Sequence, residues 1–143
     1  MDNISREQRT KNMRNIRSTN TRPERIIMDE LRKRKIYFAK HAAKILGKPD
    51  IVFRRKKVLV FVDSDFWHGH PERFQMPKTN AEYWEKKIKN NKKRDKQITH
   101  ELIKQGWTVI RLWDYDIKHN LTSCVNIILK KIGREELINN FDK

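Results

Sequence analysis

The chain has 143 residues, enough for one domain with its own core, and 36% of them are charged. Its 34 Lys and Arg outnumber 18 Asp and Glu for a formal net charge of +16, which predicts a polyanionic partner, nucleic acid ahead of an anionic membrane surface. No apolar run approaches spanning length, no stretch reads as a signal peptide, and the single cysteine, Cys124, excludes an internal disulfide and fits a reducing cytoplasm.

Residues 1–20 are polar and basic, with Arg6, Arg9, Lys11, Arg14 and Arg17 spaced through them. After Ile4 only Met13 and Ile16 are apolar, too narrow a face to anchor a core. The segment is either a solvated arm or an arm that folds against a nucleic-acid groove. Thr21-Arg-Pro-Glu24 is a capping-box pattern with proline in the first turn, which predicts a helix to about Lys35. Its apolar stripe is Ile27, Met28 and Leu31, and Glu24 falls on the same stripe. Glu24 therefore either caps the helix or faces a functional centre.

Ile36–Ala39 reads as a weak strand, followed by a loop through Lys44 to Gly47. Asp50 then opens a short apolar run, and Val58–Val62 forms a second, closed by Asp63 and Asp65. Such uninterrupted runs predict strands buried on both faces, joined by the hairpin loop Arg54–Lys57. A hairpin centred near Arg55 and Lys56 would set Asp50 close to the stretch from Phe61 to Asp63. Phe66, Trp67, His68 and His70 follow directly, and Pro71 and Pro77 mark a loop.

Thr79-Asn-Ala-Glu82 is a second capping-box pattern, predicting a long helix to about Gln105 with Gly106 as its C-cap. Trp84, Ile88, Asn91, Asp95, Ile98 and Leu102 recur along it at three- and four-residue spacing. Asn91 and Asp95 interrupt that stripe with polar side chains. Either they belong to a site, or the helix leaves the core among Lys89, Lys92, Lys93 and Arg94. The stretch from Trp107 to Trp113 reads as a strand. Thr122 or Ser123 then caps a closing helix with Val125, Ile128, Leu129 and Ile132 inward and Gly133 at its end, and Cys124 beside that face reads as a packed thiol. The order αβββαβα predicts an α/β domain over residues 21–133, its mixed sheet flanked by helices, with an arm at 1–20 and a tail at 134–143.

Carboxylates at the rim of a buried sheet are costly unless a cation sits between them. A hard divalent cation held against a phosphate would meet that need. Asp50, at a strand start, is placed to hold Mg²⁺, with backbone carbonyls at the end of the Val58–Val62 strand and Asp63 as further ligands. His68 and His70 suit proton transfer at neutral pH. Phe66 and Trp67 are either core or stack on bases. A zinc site from Asp65, His68 and His70 is the weaker option, since no thiolate lies nearby.

Thr10-Lys-Asn-Met-Arg14, Thr21-Arg-Pro-Glu24, Lys48-Pro-Asp50, Phe66-Trp-His68, Glu82-Tyr-Trp84, Arg94-Asp95 and Gly106-Trp107 together cover nearly the whole chain. In that order and spacing the sequence resembles the very short patch repair (Vsr-type) DNA mismatch endonucleases, a branch of the restriction-endonuclease-like nucleases. The resemblance implies a restriction-endonuclease-like core and a Mg²⁺-dependent endonuclease that nicks one strand of double-stranded DNA at or near a T:G mismatch. It implies Asp50 as the central metal ligand beside the Val62 carbonyl, with Glu24, His68 and Asp95 at the other catalytic positions. His68 would transfer protons and Asp95 would orient it. Phe66, Trp67 and Trp84 match aromatics that enter the DNA stack, and Met13, Arg14 and Ile16 match the arm that reaches the opposite groove.

Asp63 stands where the best-studied members of the family carry a histidine, so metal binding would replace a proton-transfer role there. Those members also hold a structural zinc through three cysteines and a histidine. Here only the histidine is present, as His70, with Asp65, Glu72 or Arg73, and Tyr115 in place of the thiolates, so no zinc is expected. The resemblance further implies a monomer in the cytoplasm, associated with the nucleoid, with mismatch-repair proteins as partners. Two alternatives stand beside it: a restriction- or homing-type endonuclease with the same core, and a non-catalytic basic DNA-binding module.

Overall fold

The computed structural model describes residues 21–138; the arm residues Met13, Arg14 and Ile16 lie outside that range. Helix α1 spans Arg22–Lys33. It opens with the reciprocal cap that the sequence predicts: the Thr21 hydroxyl accepts from the Glu24 N–H, and the Glu24 carboxylate accepts from the Thr21 N–H. Ile27, Met28 and Leu31 are buried along its inner face, and Glu24 is buried with them.

The weak strand expected at Ile36–Ala39 is shorter and later, covering only Ala39–Lys40 as β1. Helix α1 ends in a left-handed turn at Lys35 (φ 60°), with Ile36 N–H bonded to the Leu31 carbonyl and Lys35 N–H to that of Arg32. Ile36 is thus the apolar residue of a Schellman cap, buried against the helix it follows, and cannot also extend a strand.

Strands β2 (Ile51–Phe53) and β3 (Val58–Asp63) form the predicted hairpin, with Phe53 opposite Val58 and Ile51 opposite Val60. The sheet order is β1-β2-β3-β4, the first three strands antiparallel and β4 (Thr108–Trp113) parallel to β3. Strand alternation divides the core in two. Val58 and Val60 pack with α1 and the C-terminal helices, whereas Leu59 and Phe61 pack with Leu102 and Ile98. Those last two residues belong to α2, Ala81–Lys104, the crossover that makes the parallel pairing possible. Helices therefore cover both faces of a mixed sheet, the α/β restriction-endonuclease-like core.

On α2 the stripe Trp84, Ile88, Asn91, Asp95, Ile98 and Leu102 is shielded from solvent, so Asn91 and Asp95 do face inward. The second capping box does not form. Asn80 is the N-cap in a left-handed conformation (φ 59°), without a side-chain cap bond. The chain after β4 also differs from αβββαβα by one helix, α3 (Asp114–His119), too short to carry a periodic signal and anchored by buried Ile117. The closing helix α4 then starts at Leu121 with Asn120 as N-cap, so neither Thr122 nor Ser123 caps it. Its inner residues Val125, Ile128 and Leu129 are buried as expected, and burial pushes the Cys124 thiol up to about 11, the mark of a packed thiol. A short turn of 3-10 helix, Glu135–Leu137, follows, with Leu137 and Ile138 packed on the core.

Leu59 has no exposed surface and sits between the sheet and α2. Leu59→Ala should cost about 2–5 kcal/mol, seen as a lower urea midpoint with an unchanged m-value.

Candidate active site

The hairpin puts a carboxylate where it has few neutralising partners. Asp50 precedes β2, its N–H bonded to the Val60 carbonyl, and its side chain accepts from the Val62 N–H at 2.7 Å. An extended residue sends its N–H and C=O to the same strand edge, so the Val62 carbonyl shares the edge that Asp50 occupies. Glu24 reaches the same place from α1, and His41 from the end of β1, with His41 Nε2 3.2 Å from Glu24 Oε2. One ligand atom from each of Glu24, His41 and Asp50 lies within 4.8 Å of the others.

Both carboxylates are buried. Among the described residues, the hydrogen-bond partners of these two side chains include each other, Thr21, Val62 and His41, with no lysine or arginine among those. Burial, with the Glu24 charge adding to it and the Val62 N–H opposing it, pushes Asp50 up to about 8. Such a donor set holds a proton until something more strongly positive displaces it. It fits a divalent cation.

One residue along β3 the chemistry changes. Asp63 Oδ1 accepts from Arg111 at 3.0 Å and lies 3.8 Å from His68 Nε2. The other ring nitrogen of His68, Nδ1, is hydrogen-bonded to Asp95 from α2. Burial works against the His68 charge, but the Asp95 bond and the Asp63 charge outweigh it, so its pKa is raised. Burial raises that of Asp63, with His68 and Arg111 opposing. Arg111 is itself fixed by Thr99 and stacked over Phe61. The result is an imidazole held between two carboxylates, one of them adjacent to the residue that supports Asp50.

The loop carrying His68 is fastened from both sides. Asn91 donates to the Trp67 carbonyl at 3.0 Å. Arg73 donates to Asp65 at 2.8 Å, approaches Asp116 and lies over the Tyr115 ring, tying the loop to α3. His70 is buried apart from His68: its Nδ1 accepts from the Glu72 and Arg73 N–H groups, and its ring packs on Trp113. Above the loop, Phe66, Trp67, Phe74 and Trp84 form a half-buried cluster with ring centroids 5.1–5.8 Å apart. Exposed Lys86, Lys89, Lys93 and Arg94 line the outer face of α2 beside it.

The structure thus brings Glu24 and Asp50 together at the Val62 edge, and gathers Asp63, His68 and Asp95 next to them. It sets Asp65 and His70 elsewhere. Sequence reading missed His41 and Arg111. An arginine inside an otherwise apolar strand is a pattern violation and a usable signal for Arg111; a lone loop histidine offered none for His41.

A mixed sheet carries at its rim a buried carboxylate cluster that fits a divalent cation, and beside it a histidine held between carboxylates. The profile of the family described as DNA mismatch endonuclease Vsr matches residues 1–73. The type II nicking enzyme V.NmeDIP of Neisseria meningitidis serogroup C is 35% identical over 143 residues, spanning 99% of this chain and 97% of that protein. V.XorIIP, a type II nicking enzyme of Xanthomonas oryzae pv. oryzae, is 38% identical over 117 residues, spanning 81% of this chain and 86% of that protein. The DNA mismatch endonuclease Vsr of Escherichia coli is 33% identical over 107 residues, spanning 74% and 69%. The chain belongs to the Vsr family of DNA mismatch endonucleases, and by that membership is an endodeoxyribonuclease.

The Asp50 shift has a sign that can be checked. Its folded value of about 8 lies above the ordinary 3.8, so the unfolded chain releases this proton first. In metal-free protein the Asp50 contribution to stability should be full below about pH 4 and fall away up to about pH 8. Chemical denaturation across that range should show the decline in wild type and a flatter profile in Asp50→Asn.

Proposed function

We propose that the protein is a Mg²⁺-dependent endonuclease that nicks one strand of duplex DNA at or near a T:G mismatch. The observation that carries this reading is the pairing of two centres at the end of β3. One is a buried carboxylate pair at the Val62 edge, and the other is a histidine held by Asp95 and facing Asp63. Asp50, the Val62 carbonyl and Glu24 would hold the cation or its water shell. When bound there, Mg²⁺ supplies charge neutralisation at the phosphate and lowers the pKa of water.

The chain's own groups do the rest. His68 moves the proton at its Nε2, since Nδ1 is engaged by Asp95, which fixes the ring's orientation. Asp63, already paired with Arg111, is read here as a partner of His68 more than as a metal ligand. Phe66, Trp67 and Trp84 offer faces on which bases stack. The basic flank of α2 and the arm residues Met13, Arg14 and Ile16 grip the backbone and the opposite groove.

The names of the relatives support both halves of the reading: several are nicking enzymes, and one is a mismatch endonuclease. We read the protein as a monomer that passes nicked DNA to mismatch-repair proteins. A pure binding module has no use for buried carboxylates beside phosphates, where they repel the ligand.

Plasmid nicking in Mg²⁺ tests the core of this. Asp50→Ala should abolish cleavage while DNA binding is retained or tightened, and His68→Ala should lower the rate roughly 10²–10⁴-fold. Full activity in either variant removes that residue from the chemistry. Duplexes that differ only in T:G against T:A at one position decide the substrate. Equal nicking of both would point to a matched-site endonuclease instead.

A further inference from the structure

We propose that His41 is a direct ligand of a cation held by Asp50 and Glu24, completing a mixed nitrogen and oxygen site that binds Mn²⁺ more tightly than the Mg²⁺ proposed above as the working ion. The inference rests on the reading of Asp50 as a metal ligand and goes beyond it in donor set and metal preference. Neither the apolar patterning nor the motifs of the chain single out His41. It is brought to the centre by backbone pairing alone.

The His41 N–H donates to the Asp50 carbonyl at 3.0 Å and the Ala42 N–H to that of Pro49 at 3.2 Å, extending the β1–β2 ladder by one step. His41 adopts a left-handed backbone (φ 50°), uncommon for a residue with a side chain. From there Nε2 comes within 3.2 Å of Glu24 Oε2, and all three ligand atoms lie within 4.8 Å of one another. Ligands about 2.1 Å from an ion are about 3 Å apart when adjacent and about 4.2 Å when opposite. The cluster is therefore already close to coordination spacing.

Each ligand is fixed by a different part of the fold. Glu24 is held by the capping box of α1, Asp50 by the Val62 N–H, and His41 by the ladder. The two carboxylates are buried while the imidazole is 27% exposed, so the histidine forms the open wall of the site. Imidazole is a poor ligand for Mg²⁺, which prefers oxygen, and a good one for first-row transition ions. The competing role is a plain hydrogen-bond partner for Glu24, which a glutamine would fill as well as a histidine.

The test uses the full chain without DNA. Mn²⁺ binding is followed by electron paramagnetic resonance, and Mg²⁺ by competition with it. Wild type should show imidazole ¹⁴N coupling to bound Mn²⁺. His41→Gln should lose that coupling and bind Mn²⁺ about 10–100-fold more weakly, with a much smaller change for Mg²⁺. Absence of the coupling in wild type, its persistence in His41→Gln, or equal weakening for both ions would overturn the proposal; should that variant misfold, His68→Ala decides, since the coupling should persist there and its loss would assign it to His68 instead. Asp50→Asn separates the two levels of the argument. Undiminished Mn²⁺ binding there sinks the Asp50 reading and this one with it, whereas lost binding there with an unchanged His41→Gln spectrum sinks this one alone.

Discussion

Everything at this centre depends on one hydrogen bond, from the Val62 N–H to the Asp50 carboxylate at 2.7 Å. It ties the residue that opens β2 to the last turn of the ladder in β3, and so fixes a carboxylate at the end of a sheet buried on both faces. One N–H cannot offset the burial of that group beside Glu24, which is why its pKa climbs to about 8. A cation bound there would compete with that proton. A cluster kept this unfavourable in a basic protein is a strong sign that something positive is meant to occupy it.

The neighbouring centre obeys the opposite logic. Asp63 is as deeply buried as Asp50, but Arg111 and His68 face it. One residue's displacement along β3 separates a carboxylate without a basic partner from one that has two. The backbone N–H of Val62 serves the first carboxylate and the side chain of the next residue, Asp63, is the second, so the end of one strand carries two chemistries. The loop that bears His68 is then clamped by Asn91 and Asp95 from α2 and, through Arg73, by Asp116 from α3, so two helices hold the imidazole in place.

Much of this was legible in the chain because the relevant signals are local. The Thr21 and Glu24 cap, the symmetric hairpin and the α2 stripe each depend on residues a few positions apart, and the polar interruptions at Asn91 and Asp95 face inward as that stripe demands. What escaped depends either on a competing local geometry or on partners far along the sequence. Ile36 has strand-like neighbours, yet its N–H goes back to Leu31. The capping pattern at Thr79 goes unused, since Asn80 enters the helix in a left-handed conformation. Helix α3 is shorter than two turns, and Asp114 at its start is engaged by Asp65 N–H, 49 positions away. His41 matters only because a ladder bond sets it against Asp50.

The central claim is that the Asp50 cluster holds a cation against a DNA phosphate. It is tested most directly by measuring DNA affinity in the slowly cleaving His68→Ala background, with Mg²⁺ and with EDTA at matched ionic strength. The account predicts tighter binding with Mg²⁺ and no metal dependence once Asp50→Asn is added. Affinity unaffected by Mg²⁺, or a Mg²⁺ effect that survives loss of the Asp50 carboxylate, would contradict it.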